Sequence, residues 1–228
     1  PVNEPQTGCF IHGNLLNLPF AKKQISQSEI EFTYSAKKGE YLGFPHDFTV
    51  RRHYKLGENG LEEYTTVIND GVCEMPVMLA YHTTFNLDFY GDMQNVKLQV
   101  PVTQEYLRDK NFLPTGETAY GRPRDLALAN GEFVPAKQPF SAFYKANDKT
   151  VALFKGAGAS VYYEAEGIFG YRMLYRGDGD GFAVCEPQTC VIDCFHFEQN
   201  PEELGLIVLS GGESKTFYTR ICIEKDDK

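Results

Sequence analysis

The sequence predicts an all-β fold, a large antiparallel β-sandwich, and three observations carry that prediction. Short runs of β-branched and aromatic residues recur along the whole chain. Clusters of Gly, Pro, Asp and Asn separate them, and no stretch of a dozen residues sustains a 3.6-residue apolar period. A chain of 228 residues can bury a substantial core without disulfide staples and falls in the size range of one large sandwich, so residues 1–228 are read as a single domain.

Residues 1–24 carry turn formers around a short apolar patch in which His12-Gly13 follows Phe10-Ile11, and the Gly permits a sharp turn with positive φ. Residues 30–34 read as a strand, closed by the polar turn 35–39, and residues 42–46 as a second break. From 48 to 56, Phe48, Val50, Arg52, Tyr54 and Leu56 alternate with Thr49, Arg51, His53 and Lys55, the period of a half-buried strand. Gly57-Glu58-Asn59-Gly60 supplies a hairpin turn through its Asn-Gly, and residues 61–69 the return strand. His53, on the polar face, is read as solvated.

After Asn69-Asp70-Gly71 the run 75–82 reads as the third strand of an antiparallel meander, ending in His82. Further strands are expected at 96–102, 150–154, 160–164, 171–175, 182–186, 206–209 and 215–223. Residues 103–140 are the least strand-like part, with 113–117 and 121–125 as tight turns, and a loop region of that length is expected to serve a binding surface.

Hydrophobic residues at 42% and charged residues at 23% are ordinary for a globular chain, and no apolar run approaches the roughly 18 residues of a membrane span. A net charge of −9, with no Lys/Arg run longer than two, excludes a nucleic-acid backbone as the main partner. Six cysteines without a CxxC pair or a secretory leader are expected to be reduced thiols in a cytoplasmic protein. Cys190, Cys194 and His196 have the wrong spacing for a common zinc module.

Two strand ends deliver groups with chemistry. The apolar run before His82 should release its imidazole at a rim; on residues alone it also reads as a strand-capping histidine bonded to a loop carbonyl. Residues 182–186 likewise deliver Glu186, and Pro187, lacking an N–H, is expected to stop the ladder. A carboxylate there is partly desolvated, which raises its pKa and suits it to accept a proton near neutral pH. A salt-bridged structural Glu fits the same spacing, and Cys185 beside it is read as a strand residue rather than a nucleophile.

His12-Gly13, Gly43-Phe44-Pro45, the run from Met75-Pro76 through His82 to Phe85-Asn86-Leu87, Pro114-Thr115-Gly116-Glu117, Arg124-Asp125, Glu186-Pro187-Gln188-Thr189 and Leu209-Ser210-Gly211-Gly212-Glu213 occur in the order seen in aldose 1-epimerases, the galactose mutarotases. The chain resembles that family from about Gly8 to Ile223. The resemblance implies a sandwich of the galactose-mutarotase type with a small-molecule sugar in an open cleft. It implies interconversion of the α and β anomers of a free aldose or related sugar. Glu186 would take the proton of the C1 hydroxyl and His82 would protonate the ring oxygen, so that the ring opens, the C1–C2 bond rotates and closure reverses the transfers. His82 must then be protonated when the closed sugar binds, which a nearby carboxylate favours.

In the same comparison His12 and Gln188 bind the sugar, and no metal or organic cofactor is required. The alternative is a non-catalytic carbohydrate-binding module on the same fold. The chain departs from the family at Thr83 and Thr84, where Pro or Ser and then Tyr are usual, and at His46, where Gly is usual. Residues 138–144 lack the family's sugar-binding Asp. The strands that members carry before the His-Gly element are expected to be missing, leaving an edge that would suit a homodimer.

Overall fold

A computed structural model describes residues 2–58, 60–146 and 150–225. In chain order the strands are β1 (Ala21–Gln24), β2 (Glu29–Ala36), β3 (Phe48–Gly57), β4 (Gly60–Asn69), β5 (Met75–Val77), β6 (Thr84–Asn86), β7 (Lys97–Gln99) and β8 (Val102–Arg108). They continue as β9 (Pro114–Ala119), β10 (Phe140–Ala146), β11 (Thr150–Lys155), β12 (Ala159–Ala165), β13 (Tyr171–Arg176), β14 (Phe182–Gln188), β15 (Ile207–Leu209) and β16 (Ser214–Lys225), with one α-helix among the described residues, α1 (Pro123–Asn130). The chain forms two compact units, residues 1–77 with 208–218 and residues 78–207 with 219–228.

The first unit is an antiparallel meander, β1 to β4, with the start of β16 beside β4. The alternation over 48–56 is realised, with Val50 opposite both Tyr34 and Val67. Gly57 pairs with Gly60 across the expected hairpin turn, while Asn59 lies outside the described residues. His53 is not simply solvated: its Nε2 is 3.3 Å from Glu29 Oε2 and its ring stacks 6.0 Å from Tyr64. The run 75–82 is not one strand either. Only β5 forms, paired with β15 and with Pro76 at its centre, and the strand ends at Val77. Asn69 fixes the preceding turn, accepting from the Gly71 N–H at 3.0 Å and donating to the carbonyls of Cys73 and Leu209 at 2.8 and 2.9 Å.

The second unit is a sandwich. One sheet has the order β6-β14-β13-β10-β8-β9. The other pairs β7 with β11, β11 with β12, and β12 with residues 219–225 of β16. Between them lies a core in which Leu98, Phe154, Val161 and Tyr163 meet Phe85, Ala142, Tyr144, Leu174, Ala183 and Cys185. The Phe85 ring sits 4.5 Å from Phe154 and 5.5 Å from Tyr163.

Residues 103–140 are therefore not a long loop. They hold β8, β9 and α1, and β10 follows at once. Strand β8 escapes the apolar pattern because Glu105, although buried, accepts hydrogen bonds from Arg122 and Arg124, so a charged residue occupies an inward position. Helix α1 starts where a tight turn was expected: Pro123 takes the first helical position, the Asp125 carboxylate accepts from the Arg122 backbone N–H at 3.1 Å, and Gly131 ends the helix at φ 72°. The buried Asp125 also accepts from Tyr144 Oη at 2.8 Å. Burial opposes its ionisation, but Tyr144 and Arg122 together hold its pKa below the usual carboxylate range. Asp125→Ala strips a buried hydroxyl and a guanidinium of their shared acceptor and should destabilise the protein by roughly 2–4 kcal/mol in chemical denaturation. A loss under about 0.5 kcal/mol would contradict this account of the network.

Candidate active site

The site is set by how residues 79–86 lie along β14. Strand β6 puts Thr84 opposite Val184 and Asn86 opposite Phe182, and a bridge puts Ala80 opposite Gln188. The same register places His82 opposite Glu186. The ladder bonds run from the Cys185 N–H to the Thr83 carbonyl at 3.0 Å and from the Tyr81 N–H to the Pro187 carbonyl at 3.2 Å. His82 and Glu186 thus occupy the narrow, non-hydrogen-bonded position between two bonded pairs, where opposing side chains come closest. Pro187 does not stop the strand as expected. Strand β14 continues to Gln188 and Pro187 still pairs with Arg172 of β13; the N–H it lacks would have faced Tyr81.

Alternation along 79–87 puts Ala80, His82, Thr84 and Asn86 outward, and Tyr81, Phe85 and Leu87 inward. His82 Nε2 lies 3.2 Å from Glu186 Oε1, with the imidazole 51% exposed and the carboxylate 8%. Gln188, two residues along the same face, donates from Nε2 to Glu186 Oε2 at 3.1 Å, so both carboxylate oxygens are engaged. Burial raises the pKa of Glu186, and His82, the Gln188 hydrogen bond and the Arg108 charge, which all favour the carboxylate, do not outweigh it. Thr83 points into the sandwich, where its hydroxyl lies 2.8 Å from Tyr163 Oη, whereas Thr84 stands beside His82 on the open face.

The strand registers extend this face across the sheet. Glu186 neighbours Met173 of β13, which neighbours Phe143 of β10 and then Tyr106 of β8. One row over, Val184 is followed by Tyr175 and Ser141, and Arg108 Nη2 donates to Ser141 Oγ at 2.8 Å. Tyr171, Phe143 and Tyr106 form a packed aromatic group with Phe197 against Tyr106, bounding the face on one side.

His82, Glu186 and Gln188, all singled out in the sequence, come together within the second unit. His12 belongs to the first unit, where it and Gly13 both adopt left-handed backbone, φ 61° and 66°. His46 packs its ring 4.8 Å from Phe44. Cys190 and Cys194 are buried, and burial pushes the Cys190 thiol up to about 12, while His196 turns outward and bonds Asp193 at 2.6 Å. Burial likewise pushes Cys185 up to about 12, a neutral core thiol. Sequence reasoning missed Arg108, Ser141 and Tyr175. The alternation of Gln104, Tyr106 and Arg108 was the available signal, hidden because Glu105 interrupts it with a buried charge.

Because the fold raises the pKa of Glu186, folding favours its neutral form. That contribution is complete below the ordinary carboxylate range and is lost as pH rises through the raised pKa, because the carboxylate then has to ionise while buried. Glu186→Gln should therefore melt higher than the parent at about pH 7, with the difference closing toward about pH 4. A variant that melts lower at neutral pH would contradict the desolvation argument.

Comparisons with known proteins place the fold. A galactose mutarotase-like protein from Clostridium acetobutylicum superposes with a TM-score of 0.89 at 26% identity, covering 99% of this chain and 72% of its own. A galactose mutarotase-like protein from Lactobacillus casei gives 0.69 at 22% identity, covering 90% and 73%. Galactose 1-epimerase from Lactobacillus acidophilus gives 0.68 at 13% identity, covering 91% and 67%. These likenesses show the galactose-mutarotase type of sandwich. A sequence model described as aldose 1-epimerase matches residues 1–222, and the chain belongs to the aldose 1-epimerase family.

Proposed function

We propose that the protein is a mutarotase that interconverts the α and β anomers of an aldose or a close relative. The 3.2 Å pairing of His82 and Glu186 on one open sheet face carries this reading. In a cyclic hemiacetal the C1 hydroxyl and the ring oxygen are bonded to the same carbon, so the base and the acid must converge on nearly one point. Two side chains at a non-hydrogen-bonded pair do converge. Glycoside hydrolysis instead needs two carboxyl groups about 5 Å or more apart, and Glu186 is here paired with an imidazole.

Glu186 takes the proton from the C1 hydroxyl as the ring oxygen receives one from His82. The C1–O5 bond breaks, C1 becomes an aldehyde, and rotation about C1–C2 presents its other face. On closure the C5 hydroxyl adds to C1 while its proton returns to His82 and the carbonyl oxygen recovers the proton held by Glu186. Burial suits Glu186 to the task, because a base of raised pKa accepts a proton more readily than an ordinary carboxylate. Gln188 holds the second carboxylate oxygen and so fixes which oxygen faces the sugar. The match of His12-Gly13 to the family's early His-Gly element supports a sugar-binding role for His12. No metal or organic cofactor enters these steps, and six free thiols fit a reducing, cytoplasmic setting. No helix among the described residues is long and apolar enough to cross a membrane.

Freshly dissolved α-D-glucose, α-D-galactose and a panel of other aldoses should lose optical rotation faster with the protein than without it. Glu186→Gln and His82→Ala should each lower kcat by about 10²–10⁴-fold, while His12→Ala should chiefly raise KM. Saturable sugar binding with anomer exchange left at its spontaneous rate would replace this reading with that of a carbohydrate-binding module. In a pH series kcat/KM should fall on the acid side as Glu186 protonates, with its midpoint above the ordinary carboxylate value of about 4.3. A midpoint at or below that value would remove Glu186 from the role of base.

A further inference from the structure

Arg108 is an unusual group to find on the open face. Burial and the like charge of Arg124 both work against its cationic form, and Glu186 is the opposite charge acting on it. Its hydrogen-bond partner among the described residues is the neutral hydroxyl of Ser141. Two other carboxylates, Glu105 of β8 and Asp125 of α1, are engaged by Arg122 and Arg124. A partly buried guanidinium carries five donors, and here most of that capacity is unspent.

The local backbone holds Arg108 in place. The β8–β9 ladder shifts register between Tyr106 and Arg108, and the bond to Ser141 keeps Arg108 on the Tyr175 side of the sheet through that irregularity. In the turn that follows, Phe112 adopts left-handed backbone at φ 65°, costly for an aromatic residue. Its ring is 5.7 Å from the Arg108 guanidinium carbon. A strained residue that supports a cation with a π-face holds the charge without neutralising it.

Three strand spacings separate β14 from β8, about 14 Å in total. The Glu186 and Arg108 side chains shorten that distance from both ends toward the span of one sugar ring, with Met173 beneath and Tyr175 alongside. A sugar with C1 at Glu186 therefore extends toward a guanidinium. A neutral hydroxyl gains little from such a partner, whereas an oxyanion accepts two parallel bonds from it.

We propose that the substrate is an aldose carrying an oxyanion substituent, a carboxylate or a phosphate, on a carbon other than C1, and that Arg108 with Ser141 binds that group. This rests on the mutarotase reading above. Exchange spectroscopy by NMR on D-galacturonate, D-glucuronate, D-glucose 6-phosphate, D-glucose and D-galactose tests it, and separates carboxylate from phosphate as the preferred group. At least one anionic sugar should show a kcat/KM roughly 10- to 100-fold above that of its neutral counterpart. Arg108→Met should collapse that ratio, Arg108→Lys should keep part of it, and KM for the anionic sugar should rise with salt.

If neutral sugars react as fast as anionic ones, or if Arg108→Met lowers both equally while the protein stays folded by circular dichroism, the proposal is overturned and the mutarotase reading stands. If no sugar of either kind is accelerated, the mutarotase reading falls and this proposal falls with it.

Discussion

The pairing register between residues 80–86 and β14 is the constraint on which the site depends. A shift of one residue would turn His82 into the sandwich and bring Tyr81 out, since side chains alternate strictly along a strand. Both sides of the register are held by burial. Tyr81 packs 5.5 Å from Phe169, Phe85 enters the aromatic core, and Thr83 reaches Tyr163. The inward residues fix the phase, and the outward residues are thereby free to be chemical. Thr189 extends the hold, its N–H donating to the Leu79 carbonyl at 3.0 Å while its hydroxyl accepts from the Leu79 N–H at 3.1 Å.

The same arrangement makes Glu186 costly to ionise, as the proposed role of base requires. Its neighbours on β14, Cys185 and Val184, are fully buried, and Glu186 itself is nearly so. Burial favours the protonated acid, while His82, Gln188 and Arg108 favour the carboxylate. The balance leaves a base stronger than a solvated carboxylate, which is what proton removal from a hemiacetal hydroxyl requires. A fold that stabilised the carboxylate more would make it a poorer base, so in the proposed mechanism the cost of burying Glu186 is part of what makes it suitable.

Much of this was legible in the sequence, and the misses share a cause. The strands of the first meander follow from alternation at 48–56 and from the turn residues around them. His82 and Glu186 stood out as polar groups at the ends of apolar runs, and the motif His82-x-x-Phe85-Asn86-Leu87 with Glu186-Pro187-Gln188-Thr189 pointed to the family. What alternation could not reveal was a buried charge: Glu105 looked like a loop residue because its arginine partners are 17 and 19 residues away. Strand β8 was lost with it, and Arg108 with β8. Pro187 shows a separate error, too much weight given to proline as a strand breaker. Pro187 remained inside β14 because its missing donor faces Tyr81, which is already bonded to the Pro187 carbonyl, and Pro76 likewise sits inside β5.

The central claim is that Glu186 and His82 act on the two oxygens of one anomeric carbon. A crystal structure of the Glu186→Gln protein with bound sugar tests it most directly. The C1 hydroxyl should lie within about 3 Å of the residue-186 side chain and the ring oxygen at similar distance from His82 Nε2. A sugar seated on this face with C1 directed away from both side chains, or bound elsewhere on the protein, would contradict it.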